Sequence, residues 1–148
     1  MRDESVRGDT LTDYRPILER IKGPLVPSMP AFTADDDLDI ESTCRWVDWL
    51  IECGVKLLWT TQGSSHYVWL SDVEVRELTR AVGQVTKSRA VFIASSAYHW
   101  STRERIAFVE YAARCGADVV KLQIDWSRNP NEDVVFDHSR ERGAFLPL

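Results

Sequence analysis

Residues 46–60, WVDWLIECGVKLLWT, carry the pattern that decides the fold. The first part has apolar side chains at helical spacing, namely Trp46, Val47, Leu50 and Ile51. Gly54 then supplies a residue at which the backbone can turn left-handed and end a helix. Residues 55–60 follow as a short apolar run of strand length. The stretch therefore predicts an amphipathic helix that leads through a glycine turn into a buried strand.

The same order of strand and helix recurs along the chain. Apolar runs predict strands at 24–29, 55–60, 90–95 and 118–124, which begin about 30 residues apart, the size of a βα unit. The helices that follow these strands are predicted at 39–52, 72–86, 101–115 and 131–142. Two of them begin with a capping box, Ser71 with Glu74 and Ser101 with Glu104. Four consecutive βα units predict a parallel sheet.

Two architectures fit four βα units, a doubly wound open sheet and a (β/α)8 barrel. The first unit contains neither GxGxxG nor a P-loop, which disfavours the nucleotide-binding open sheet. A TIM barrel needs eight units and about 250 residues, so this α/β chain is expected to cover the first four. We predict a lead-in at 1–22 and a partial barrel domain at 23–148 that ends at the start of a fifth strand. The alternative is a complete open α/β fold of 148 residues.

Composition disfavours several classes of function. With 44% hydrophobic and 28% charged residues, the chain has the balance of an ordinary globular domain. A net charge of -5 without a stripe of Lys and Arg argues against nucleic acid, and no apolar run has the length of a membrane span. Three scattered cysteines and a charged amino terminus predict a cytoplasmic protein. His66, His99 and His138 lack the spacing of metal ligands, so neither a metal nor a cofactor is expected.

Four segments together resemble the dihydrodipicolinate synthase and N-acetylneuraminate lyase family. They are VPSMPAFT at 26–33, WVDWLIECGV at 46–55, LSDVEVREL at 70–78, and STRE at 101–104 with AARCGAD at 112–118. The segments follow the family's order and spacing from its first strand to its fourth. The resemblance implies the amino-terminal half of that family's barrel.

The resemblance also implies a class I lyase or aldolase that acts on pyruvate or a similar keto acid. In the family a lysine late in the barrel forms an imine with the keto acid, and a tyrosine on the fifth strand moves protons. Two hydroxyls after the second strand bind the carboxylate. The corresponding loop here is 60–67, which makes Ser64 and Ser65 the candidate carboxylate donors and His66 their neighbour in the site. The alternative is that both serines only shape a turn.

The chain departs from the family pattern at the catalytic residues. The tyrosine-bearing loop after the fourth strand reads Asp125-Trp126-Ser127, and neither the relay tyrosine nor the imine lysine has a counterpart in these 148 residues. We therefore expect a truncated fragment without lyase activity and do not predict its substrate. The alternative is a half-barrel module that closes a barrel by pairing with itself, as a homo-oligomer, or with another half, because exposed strand edges invite pairing.

Lys121 is the catalytic candidate within the chain itself. Alternation along 118–124 places Val120 against the helices and Lys121 with Gln123 on the lumen face of a barrel. Lys121 is then either an ordinary charged lysine, paired with an acid of the lumen or exposed because the half-barrel is open, or a desolvated amine with a lowered pKa. The second case predicts a small complete α/β enzyme that forms an imine at Lys121.

Overall fold

A computed structural model describes residues 13–60, 69–97 and 100–121. Its helices are α1 (Arg15–Arg20), α2 (Ile40–Glu52), α3 (Asp72–Thr86) and α4 (Thr102–Arg114). Its strands are β1 (Leu25–Pro27), β2 (Ala31–Phe32), β3 (Leu38–Asp39), β4 (Leu57–Trp59), β5 (Val91–Ser95) and β6 (Val119–Lys121). The helix predicted at 131–142 and the start of a fifth strand lie outside the described residues.

Strands β1, β4, β5 and β6 form one parallel sheet in that order. Pro27, Trp59, Ile93 and Val119 stand in register across it. Helices α2, α3 and α4 connect successive strands of this sheet, which is the βα repeat that the sequence predicts. Parallel neighbours with helical connections bring the carboxyl ends of all four strands to the same edge.

Strands β1, β4 and β5 are shorter than the predicted ones. The apolar run at 55–60 yields a three-residue β4 because Val55 closes the turn after α2, where its N–H donates to the Leu50 carbonyl at 3.1 Å. The antiparallel pair β2 and β3 escapes prediction because two residues per strand are too few for a periodic signal. Asp36 turns between them with a φ of 64°.

At the start of each of the three long helices, a side chain caps the first turn. Asp39 accepts a backbone N–H of the first turn of α2 at 2.9 Å. Both predicted capping boxes are present, with Ser71 and Glu74 opening α3 and Ser101 and Glu104 opening α4. Each box satisfies two backbone donors that a helix start otherwise leaves without partners. The start of each helix is therefore fixed by local sequence.

Apolar side chains cover both faces of the parallel sheet. On one face Leu58 and Phe92 are fully buried under the helices. On the other face Leu57 and Val91 are buried in a separate apolar cluster. In a (β/α)8 barrel the face away from the helices lines the interior. We call this second face the lumen face.

Helix α1 covers the amino-terminal end of the lumen face. Ile17 is buried there against Leu57 and Val91, the first residues of β4 and β5. Arg20 donates to the Asp118 carboxylate at 2.8 Å, next to the start of β6. The lead-in helix thus packs on the amino-terminal ends of three strands that come later in the chain. Polar side chains lie at the carboxyl ends of these strands.

Candidate functional site

Three side chains meet on the lumen face at the carboxyl ends of adjacent strands. Trp59 ends β4, Ser95 ends β5 and Lys121 ends the described part of β6. The Trp59 Nε1–H donates to the Ser95 Oγ at 2.5 Å. The Lys121 Nζ lies 4.5 Å from the centroid of the Trp59 ring. We call these residues the lumen cluster, and it occupies the end of the strands at which (β/α)8 barrels build active sites.

The structure places Lys121 on the lumen face, as strand alternation predicts. Val120 packs in the core beneath the helices, whereas Val119 packs on the lumen face. Lys121 follows Val119 by two positions and therefore points the same way. The partnership with Trp59 and Ser95 was not predictable, because the indole and the serine are 36 residues apart in sequence. A catalytic role for Lys121 stays a prediction.

Two effects of opposite sign act on the Lys121 amine. Burial lowers the pKa of Lys121 below its ordinary value, because the ammonium form loses part of its water. The electron-rich face of the Trp59 indole stabilises the ammonium form instead. The side chain is only half-buried, so both forms stay within reach of a solute. The lumen cluster can thus offer a cation or, at higher pH, an amine beside a serine hydroxyl.

Buried hydroxyls lie directly after three of the parallel strands. Ser28 follows β1, Thr60 follows β4 and Ser96 follows β5, and all three residues are fully buried. The Ser28 Oγ donates to the Trp59 carbonyl at 3.3 Å. Within the described part of the chain, the Thr60 and Ser96 hydroxyls have no hydrogen-bond partner. Sequence reasoning missed these residues because a single hydroxyl after each strand forms no motif.

The predicted carboxylate-binding residues Ser64, Ser65 and His66 lie in the segment 61–68, outside the described residues. Lys121 is thus the one predicted site residue whose position is known. Among the described residues, no His, Cys, Asp and Glu side chains form a group of three that could hold a metal ion. None of the described helices has the length and apolarity needed to cross a membrane.

Known proteins match the chain in sequence and in structure. It is 26% identical over 129 residues to the 4-hydroxy-tetrahydrodipicolinate synthase of Chelativorans sp. strain BNC1, covering 86% of the chain and 44% of the relative. It superposes on dihydrodipicolinate synthase of Oceanobacillus iheyensis with a TM-score of 0.78 and 18% identity, covering 88% of the chain and 43% of that protein. No protein-family model matches the chain.

A further structural match contains a bound keto acid. YagE, a prophage protein of E. coli K12 belonging to the dihydrodipicolinic acid synthase family, was solved in complex with pyruvate. The TM-score is 0.74 at 22% identity, covering 85% of the chain and 42% of YagE. At this identity the match shows a shared fold.

These matches define the fold class of the chain. The structural neighbours are TIM barrels, and the chain has the α/β fold of about half of such a barrel, as the sequence predicts. The chain spans 40% to 46% of the length of the curated relatives it matches. The resemblance to the dihydrodipicolinate synthase family is confirmed, and the chain fits the amino-terminal half of that family's barrel.

Proposed function

We propose that the chain is the keto-acid-binding half of a lyase-type barrel and forms no imine of its own. The observation that carries the proposal is the similarity to 4-hydroxy-tetrahydrodipicolinate synthase over 86% of the chain. The position of the lumen cluster at the carboxyl ends of the strands supports it, because barrel enzymes bind their substrates there. Pyruvate or a similar keto acid is the proposed ligand, since YagE was solved with pyruvate. A cytoplasmic location fits this function and stays a prediction.

The lysines of the chain support the absence of imine chemistry. There are four, and Lys22, Lys56 and Lys87 are exposed, away from the carboxyl ends of the strands. Lys121 alone lies on the lumen face, where the Trp59 ring stabilises its charged form. An imine requires the neutral amine as nucleophile. We therefore propose that Lys121 does not form a stable adduct with a keto acid at neutral pH.

Trapping with borohydride tests the missing imine chemistry. The protein is incubated with pyruvate, borohydride is added, and the intact mass is measured beside a full-length synthase as positive control. We expect no adduct on this chain and a stoichiometric adduct on the synthase. A stoichiometric adduct that maps to Lys121 and disappears in Lys121→Arg would contradict the proposal and make the chain a lyase in its own right.

The keto-acid ligand is tested by direct binding. We expect saturable binding of pyruvate in titration calorimetry and about tenfold weaker binding by a Ser64→Ala, Ser65→Ala double variant, because two hydroxyl donors to the carboxylate are lost. His66→Ala should have a smaller effect, since His66 is proposed only as a neighbour of the site. Unchanged affinity in the double variant would show that the serines shape a turn and do not bind the ligand.

A second candidate function is assembly of a barrel from half-barrels. Within the described residues, β1 pairs only with β4 and β6 pairs only with β5, so each leaves one strand edge open. Trp46 and Trp49 of α2 stack with ring centroids 5.0 Å apart and remain 38% and 52% exposed. Open edges and exposed aromatic side chains favour association with further strands and helices. This function needs no chemistry at the lumen cluster.

A further inference from the structure

We propose that the Trp46–Trp49 stack on α2 is the docking surface for the last helix of a complementary, carboxyl-terminal half-barrel of the same family. The choice of partner rests on the proposed function, in which the chain is one half of a lyase-type barrel. The surface itself rests on the geometry of α2 and on the position of β1 in the sheet.

The stack lies on the side of α2 that faces away from α3. Val47 is fully buried and marks the face of α2 that packs on the core. Successive residues of a helix are about 100° apart, so Trp46 and Asp48 lie on opposite sides of Val47. The Asp48 carboxylate accepts from Arg89, just after α3, at 2.6 Å, which identifies the α3 side of the helix. The side that carries Trp46 therefore faces the open edge of β1.

The two indoles form one flat apolar surface that is exposed. Their ring planes are 20° apart, and Trp49 is the more exposed of the two at 52%. Leu25, Met29 and Phe32, on the segment that precedes α2, are exposed as well. Apolar side chains exposed in one region of a fold mark a surface that binds another protein.

The order of the strands indicates which partner fits this surface. Within the described residues, β1 ends a sheet of four parallel strands, and the chain covers 43% of a TIM-barrel neighbour. In a closed (β/α)8 barrel the first strand also pairs with the eighth, so the first helix of the barrel lies beside the last. The eighth unit belongs to the part of the relatives that this chain does not match. A carboxyl-terminal half-barrel therefore fits both the strand edge and the stack.

Titration calorimetry tests the surface. The 148-residue chain is titrated with the carboxyl-terminal half of the Chelativorans synthase, which is the part of that relative beyond the match. We expect a complex of one chain with one half, and about tenfold or more weaker binding by a Trp46→Ser, Trp49→Ser double variant, as for the loss of aromatic side chains central to an interface. Trp69→Ser removes an exposed indole outside this surface and should bind as the wild type does.

A single-chain fusion of the two halves gives a second measurement. The stack is exposed in the isolated chain but covered in a closed barrel, so the double variant should lower the Tm of the fusion more than that of the isolated chain. An equal change in Tm would refute the docking surface. If the double variant does not melt cooperatively by circular dichroism, Trp49→Ser alone takes its place.

The outcomes separate the surface from the proposed function. If the half binds the double variant as well as the wild type, the pairing of half-barrels stands and the surface is refuted. If the folded wild type binds pyruvate but not the half, the keto-acid function stands and the surface is refuted. Binding of the half that needs the stack, without any pyruvate binding, supports the surface and contradicts the keto-acid function. A dimer of the chain that needs the stack and persists in excess of the half would assign the surface to a second copy and overturn the choice of partner.

Discussion

At the scale of single residues, Gly83 of α3 lies against the carboxyl-terminal end of α4. A Cβ added at Gly83 of α3 would lie 2.0 Å from the backbone carbonyl oxygen of Cys115, at the end of α4. A backbone carbonyl cannot rotate away as a flexible side chain does. The absence of a side chain at Gly83 therefore sets the distance between α3 and α4.

We expect Gly83→Ala to lower the free energy of unfolding by about 1 to 3 kcal/mol, the usual cost of forcing extra volume into a packed interior. The higher helix propensity of alanine offsets only part of this loss. Urea unfolding measures the change. Gln84→Ala, at the exposed neighbouring position of the same helix, is the control and should change stability by less than about 0.5 kcal/mol. Equal stability of Gly83→Ala and wild type would show that the two helices are free to separate.

The lowered pKa of Lys121 predicts a stability that depends on pH. The folded pKa lies below the ordinary value of 10.5, so between these two values the unfolded chain binds more protons than the folded one. Stability should therefore rise with pH across this window. We expect wild type to gain stability relative to Lys121→Met as the pH is raised toward 10, measured by urea unfolding. A difference that stays constant with pH, as expected for the exposed control Lys56→Met, would refute the shift.

At the scale of elements, each capping box predicts that a single side chain at the start of a helix contributes to the free energy of unfolding. Ser71→Ala removes the side chain that accepts from the Glu74 N–H and should cost about 1 kcal/mol. Ser71→Asp keeps an acceptor at the same position and should recover most of that loss. Thermal melts by circular dichroism compare the two. If Ser71→Asp is as unstable as Ser71→Ala, the loss comes from something other than the cap.

How well the sequence predicts each element depends on the range of the interactions that form it. Helix α3 was predicted with its observed bounds because Ser71, Glu74 and the apolar spacing are all local signals. Strand ends were predicted less well, since Val55 belongs to a helix-ending turn rather than to β4. The lumen cluster illustrates the limit: the face of Lys121 follows from alternation, but its contact with Trp59 joins two strands whose residues are 62 positions apart in the sequence.

At the scale of the whole molecule, the edges of the sheet formed by the described residues predict self-association. We expect the chain to elute as an oligomer or aggregate in size-exclusion chromatography with light scattering, because within the described residues β1 and β6 each pair along one edge, and the Trp46–Trp49 stack is partly exposed. A Trp46→Ser, Trp49→Ser double variant should shift the distribution toward smaller species. Substitution of Trp69, which lies three residues before α3 and is 78% exposed, is the matched control for lost aromatic surface. A sharp 17 kDa peak with cooperative melting would instead support a complete domain.

The docking of α1 has a consequence for the order in which the chain folds. Arg20 and Asp118 are 98 positions apart, so the first helix cannot complete its contacts until β6 has been synthesised and paired. Closing so long a loop costs entropy before the contacts of Ile17 return any stability. We therefore expect helix α1 to complete its native contacts late in folding and its amide hydrogens to exchange with solvent sooner than those of α3. During translation, the ion pair between Arg20 and Asp118 can form only after the start of β6 has left the ribosome.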